Sequence, residues 1–259
     1  MPGRATAARQ IDHRNARVAG DVGTLLGIWA HPDDEAYLSA GLMAAARTAG
    51  NRVVVATATA GERGTSDPQR WPPDRLAATR RRELTASLAA LDVGEHHWLG
   101  YADGTLPDVP AALGAAAVEG LIRRYRPDTI VTFGPDGFTG HADHRAVSGW
   151  VDRAWTAAGH PGRLWHVSLT PEFHRRWGAL SSEMGVWMPG GVPPSEPAGS
   201  MACTVRCTGD LRDRKYAALT AHATQTAALI EHVGPAVYRR WWGTEHFVDA
   251  GSRLARAAA

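Results

Sequence analysis

With 259 residues, 28 basic against 26 acidic side chains and a net charge of +2, the chain has no electrostatic bias toward nucleic acid. Its length accommodates one large α/β domain or two small ones, and no apolar run reaches the roughly 18 residues of a membrane span. Two cysteines, Cys203 and Cys207, rule out a disulfide framework, and their scarcity favours a reduced, cytoplasmic protein.

Residues 1–21 carry Arg4, Arg9, Arg14 and Arg17 but no apolar core. They therefore do not read as a secretory signal, and they predict a flexible or loosely docked arm ahead of a single catalytic domain over 22–259. From Thr24 onward, apolar runs of strand length alternate with longer amphipathic stretches, which is the pattern of βαβ units around a mainly parallel sheet flanked by helices. The first strand ends at Ala30, and a helix is predicted from Asp34 to Ala49, closed by Gly50. A Val-rich strand follows over Arg52 to Thr59. A loop through Gly61-Glu62-Arg63-Gly64 and Ser66 to Pro73 leads to a long helix from Asp74 to about Leu91.

A third strand is predicted over Glu95 to Gly100, a helix over Ala111 to Arg126, and a fourth strand over Thr129 to Phe133. The glycine-rich segment Gly134 to Gly140 then opens a helix that starts at His141 and runs to about Ala158. Arg163 to Leu169 reads as a fifth strand. Beyond it the pattern weakens: a surface loop or lid over Met188 to Gly199, a strand over Met201 to Thr208, a helix from Asp210 to about His232, and a last strand over Glu245 to Asp249.

In open α/β sheets ligands bind at the carboxyl ends of the strands. Ala30-His31-Pro32-Asp33-Asp34-Glu35 follows the first strand, Glu62 the second, Asp103 the third and His141 the fourth, so these loops are expected to share one rim. An imidazole and three carboxylates just past a buried strand are costly to desolvate, and a bound divalent cation removes most of that cost. His31 and Asp34 supply two ligands. Asp33 is left beside them as a free carboxylate, the form a general base takes. An acidic first helical turn explains the acids equally well but not His31. His141-Ala142-Asp143-His144 adds two imidazoles three residues apart on one helical face, one able to ligate a metal and the other to face a substrate.

These two segments resemble the PIG-L/LmbE family of metal-dependent N-deacetylases. The resemblance extends to Ala58 to Gly64, Arg80 to Glu83, Leu99 to Gly104, and Lys215 to Gln225. It implies a single Rossmann-like domain that holds one zinc ion, or another divalent ion, through His31, Asp34 and His144. On the same resemblance Asp33 is the general base that deprotonates water, and His141 is the imidazolium that steadies the oxyanion or protonates the leaving amine. Asp143 holds an imidazole in the correct tautomer. The implied activity is hydrolysis of an N-acyl group, acetyl first among them, from a small amino-sugar substrate or conjugate.

Arg80 resembles the family's substrate-facing arginine, although Arg81 and Arg82 beside it also suit a solvated helix face. Asp103 is the second candidate for sugar hydroxyls. Glu62 either orients the metal shell or pairs with Arg63, and His222 and Gln225 brace the fold or the rim. His96, His97, His166, His174, His232 and His246 have no metal spacing. Where some family members carry tyrosine two positions before the first histidine of the second motif, this chain has Thr139, which leaves the substrate open. Other functional classes are an amidase on a thiol-sugar conjugate, a metal-assisted phosphoesterase, and a carbohydrate-binding protein without turnover. A two-metal phosphoesterase would need ligands for ions about 3.5–4 Å apart. Oligomeric state is not encoded in any pattern seen.

Overall fold

A computed structural model describes residues 21–189 and 192–251, so most of the predicted N-terminal arm and residues 190–191 of the predicted 188–199 loop lie outside the described residues. Seven strands form one sheet in the order β3-β2-β1-β4-β5-β7-β6. They are β1 (Leu25–Trp29), β2 (Val53–Thr57), β3 (Glu95–Trp98), β4 (Thr129–Thr132), β5 (Arg163–Val167), β6 (Cys203–Arg206) and β7 (Thr244–Asp249). The first five run parallel, while β7 pairs antiparallel with β5 and β6 antiparallel with β7. β1, β2 and β4 are buried at every position, which explains why Leu-Leu-Gly-Ile-Trp and Val-Val-Val-Ala-Thr read as continuous apolar runs and not as alternating ones.

The helices are α1 (Asp34–Leu38), α2 (Ala40–Thr48), α3 (Pro73–Ala90), α4 (Ala111–Tyr125), α5 (Ala142–Ala157), α6 (Pro171–Glu183), α7 (Gly209–Ala221), α8 (Ala223–Val233) and α9 (Pro235–Trp241). Because β1 lies between β2 and β4, the chain reverses its direction of winding there and a crevice opens at the carboxyl ends of β1 and β4. His31 leaves the first of these strands and His141 follows the second.

The sequence reading differs from the structure in four places. The helix predicted over Asp34 to Ala49 breaks at Ser39, whose φ is −147°. Glu245, from β7, accepts the backbone N–H groups of Gly41 at 2.7 Å and Leu42 at 2.9 Å and so starts α2 afresh. Lys215 balances that buried carboxylate at 2.7 Å. The helix predicted over Asp210 to His232 likewise breaks, at His222. Helices α6 and α9 were not anticipated. Cys203 and Cys207 are free and buried, as expected of core thiols. Among the described residues no helix is long and apolar enough to cross a membrane.

Candidate metal centre and active site

The sequence folds locally so that β1 delivers His31 to the floor of a cleft of about 420 Å³. Pro32 and Asp33 then turn the chain sharply, with Asp33 at φ 106°, a conformation that costs a non-glycine residue of order 1–3 kcal/mol. Three contacts from two side chains hold that turn. Glu35 Oε2 accepts the Asp33 N–H at 2.9 Å, Arg80 donates to the Pro32 carbonyl, and Arg80 Nη2 lies 3.2 Å from the Asp33 carboxylate. Arg80 also donates to the Gly61 carbonyl at 2.8 Å. A Cβ at Gly61 would sit 2.0 Å from the guanidinium, so glycine is required there for the arginine to pass.

His31 and His144 meet across the switch point, with His31 Nδ1 3.2 Å from His144 Nε2. Their other nitrogens fix the tautomers. His144 Nδ1 lies 2.9 Å from the Gly137 carbonyl, which can only accept, so Nδ1 carries the proton. His31 Nε2 faces Asp103 Oδ1 at 3.1 Å and Asp143 Oδ2 at 3.2 Å, and both carboxylates are held ionised, so Nε2 is also protonated. His31 Nδ1 and His144 Nε2 are therefore left facing each other, an arrangement that needs one positive charge between them, either a proton carried by His31 or a cation that displaces it.

Asp34 lies against both rings through different oxygens, with Oδ2 3.7 Å from His31 Nδ1 and Oδ1 3.4 Å from His144 Nε2. Donors about 2.0–2.2 Å from a tetrahedral ion lie roughly 3.3–3.5 Å apart, so the chemistry and spacing of this trio fit a zinc-like ion. Among the described residues, the groups whose donor atoms all lie within 4.8 Å of one another are His31 with His141 and His144, and His31 with Asp103 and Asp143; Asp34 belongs to neither. Both alternatives use His31, which favours a single ion over a pair.

The electrostatics agree. Burial alone would push the His31 imidazole down, but hydrogen bonds to Asp103 and Asp143 and the charge of Asp34 lift it to about 10. Burial drives His144 well down, helped by the charge on His31. Asp34 rises to about 7, chiefly by burial, with His31 opposing. Asp33 also rises by burial, and the Arg80 guanidinium is the largest opposing influence. The centre thus collects carboxylates around a point that attracts a cation.

His141 caps α5: its Nδ1 accepts the Asp143 N–H at 3.1 Å, which leaves Nε2–H as a donor. Burial, then the charge of His31, holds the ring below its ordinary value, so the neutral Nε2–H form is the one on hand before a substrate adds negative charge. Asp143 is fully buried, and besides His31 it accepts from Gly104 N at 2.8 Å and Leu106 N at 3.1 Å. Phe133 stacks on the His144 ring at 4.1 Å. Thr139 Oγ1 stands 3.3 Å from His144 Nδ1.

The two residues expected to bind sugar are more tied than the sequence suggested. Asp103 spends one oxygen on His31 and the other on the Arg63 N–H at 2.8 Å. Arg80 is 3% exposed and engaged with Asp33, Pro32 and Gly61. Glu62 accepts the Asp103 N–H at 2.8 Å. His96, His97 and His166 lie elsewhere, paired with Thr57, Tyr125 and Asp152.

Sequence reasoning missed the buried group beneath Asp33. Glu35 Oε1 takes the Ser87 hydroxyl and His222 Nε2, each at 2.7 Å, while its other oxygen holds Asp33. The closing glutamate of the first motif was on view, but the partners arrive from α3 and from the α7–α8 junction.

Residues 26–155 match the family profile described as PIG-L, GlcNAc-PI de-N-acetylase. A 1D-myo-inositol 2-acetamido-2-deoxy-alpha-D-glucopyranoside deacetylase of Nocardia farcinica is 33% identical over 242 residues, covering 78% of this chain and 80% of that protein. Among solved structures, the N,N'-diacetylchitobiose deacetylase of Pyrococcus horikoshii superposes with a TM-score of 0.64 at 21% identity, over 88% of this chain and 84% of that one. The zinc-inhibited form of teicoplanin deacetylase Orf2 gives 0.61 at 18% identity, over 88% and 98%. At those identities the structures speak to fold alone. The profile match and the Nocardia relative go further: this chain belongs to the PIG-L family.

Proposed function

We propose that this protein is a metal-dependent hydrolase that removes an N-acyl group, acetyl first among them, from an amino sugar or amino-sugar conjugate. The observation that carries the proposal is the pair of facing ring nitrogens of His31 and His144, with Asp34 against both and the half-buried carboxylate of Asp33 beside them. Further support comes from relatives named as deacetylases of an acetamido sugar. His31, Asp34 and His144 would hold one ion per chain, and the two-imidazole, one-carboxylate donor set suits Zn²⁺. When bound, such an ion supplies Lewis-acid chemistry, polarising an acyl oxygen and making water acidic enough to ionise near neutral pH.

The remaining steps belong to the protein. Asp33 takes a proton from the attacking water at its carboxylate, with Arg80 fixing which way that carboxylate faces. His141 Nε2–H donates to the acyl oxygen as negative charge grows there. A C–O bond forms and the C–N bond breaks, and the proton held on Asp33 goes to the departing nitrogen, giving a carboxylic acid and a free amine. Asp143 and Asp103 keep the His31 ring oriented. The free buried thiols Cys203 and Cys207 fit a reducing, cytoplasmic setting, which we include in the proposal.

The test is amine release from a panel of N-acetylated sugars by chelator-stripped protein, before and after adding back one equivalent of Zn²⁺. Cleavage is expected only after reloading. A loaded enzyme that releases amine from none of the panel defeats the proposal.

A further inference from the structure

The chemistry above occupies one part of the cleft. Another part of its lining is apolar: Leu38, Phe138, Met184, Val186, Leu229 and Trp242. These residues are contiguous with the core, since Leu38, Phe138 and Trp242 belong to it and Met184, Val186 and Leu229 pack against it. The nearby Tyr37 hydroxyl is already taken by Tyr238 at 2.6 Å. A sugar hydroxyl set against this surface would lose its water and find no partner, which costs of order 1–3 kcal/mol each.

On the polar side the exposed Arg63 and the His141 ring are left to meet the sugar. Arg80 and Asp103 are committed to the centre, and Gln225 Nε2 donates to the Gly64 carbonyl at 3.1 Å. At about 420 Å³ the cleft falls in the range of sites for drug-sized ligands, about 300–1,000 Å³. Four of the apolar residues, Met184, Val186, Leu229 and Trp242, come from α8 and the turns that follow α6 and α9. All four lie beyond the 26–155 stretch that the family profile matches.

We infer that the substrate is an N-acyl amino sugar carrying a large apolar group, an alkyl chain or an aromatic ring, which seats on Met184, Val186, Leu229 and Trp242. This rests on the deacetylase reading and adds the substrate class. The apolar group has two possible sources, the acyl chain or the substituent at the sugar's anomeric carbon, and both present the same chemistry to the wall.

Three substrates separate them, each assayed with Zn²⁺-loaded enzyme below its micelle concentration: methyl N-acetylglucosaminide, its N-octanoyl counterpart, and octyl N-acetylglucosaminide. Each buried methylene is worth roughly fourfold in kcat/KM, so seating even part of an octyl chain predicts a gain of at least about tenfold. A gain in the second substrate assigns the wall to the acyl chain, and a gain in the third to the anomeric substituent. Val186→Asp and Leu229→Asp, at two half-buried positions on different segments, are each expected to bring the octyl-to-methyl ratio back toward one. If neither octyl compound outpaces the methyl parent, or if both variants keep the ratio, the inference is overturned. Calorimetry with octyl and methyl glucosaminide, the amines without their acyl groups, separates this inference from the deacetylase reading. Should the loaded enzyme cleave none of the three, tighter binding of octyl than methyl glucosaminide, or of the uncleaved N-octanoyl compound than its N-acetyl parent, would still uphold the apolar wall, and equal binding in both comparisons would sink it.

Discussion

Glu35 accepts the backbone N–H of Asp33 at 2.9 Å, two residues back along the chain, and so holds the candidate base in a backbone conformation with φ 106°. Ser87 and His222 anchor the other oxygen of Glu35 at 2.7 Å each, and all three side chains are excluded from solvent. A carboxylate that accepts from a peptide N–H, a hydroxyl and an imidazole is a rigid strut. Its removal frees a strained turn.

Glu35→Ala should therefore lower kcat by roughly 10–100-fold, the range seen when groups supporting a metal site are lost, with KM little changed. Glu35→Gln, which keeps the shape and one acceptor oxygen, should recover part of that loss. Steady-state kinetics on an N-acetyl sugar decide it. Equal kcat for wild type and Glu35→Ala would show that the turn needs no strut.

Asp33→Asn should cost about 10²–10⁴-fold in kcat, the usual contribution of a positioned general base, while bound metal stays near one equivalent. The separation is expected because Asp33 pairs with Arg80 and is no member of the donor trio. Elemental analysis beside the kinetic assay reads both quantities. A fully active Asp33→Asn protein would remove Asp33 from the mechanism.

His144→Ala should instead abolish metal retention through dialysis, because it deletes one of the two facing ring nitrogens and leaves His31 Nδ1 and Asp34 as the remaining donors. His141→Ala should keep the metal and lose activity. If both variants empty the site, the ion sits instead among the three imidazoles of His31, His141 and His144.

The parallel half of the sheet and the convergence of its loops were legible because fully buried strands write continuous apolar runs and the loops follow them at regular intervals. The breaks were not legible. Ser39 ends a helix because Glu245, 204 residues beyond Gly41 in sequence, captures the next turn's N–H groups, and no local propensity encodes that. His222 interrupts another helix where its ring turns to Glu35. Helix α6 did leave a signal: Thr170 caps it through Phe173 N, with Pro171 at its first position, a start motif that the fading apolar pattern obscured. At the site, His31, Asp34 and His144 could be chosen from spacing and resemblance. The commitment of Asp103 and Arg80 to the centre could not, since it depends on which neighbours reach them first.

The Glu35–His222 contact also carries a pH signature. Burial opposes the charged form of each, but His222 pulls Glu35 below the usual carboxyl range, and Glu35 lifts His222 above the usual imidazole range. The depressed carboxyl contributes stability above its unfolded value of about 4.3, lost as pH falls through the folded value. The raised imidazole contributes below its unfolded value of about 6.5, lost as pH rises through the folded value. The pair's contribution is therefore largest between about pH 4.3 and 6.5. Urea denaturation of metal-stripped wild type against the Glu35→Gln/His222→Asn double variant should show a stability gap widest near pH 5.5 that narrows on both sides. A gap that does not vary with pH would mean the contact is a neutral hydrogen bond, and Glu35 would then hold Asp33 without an ionic partner.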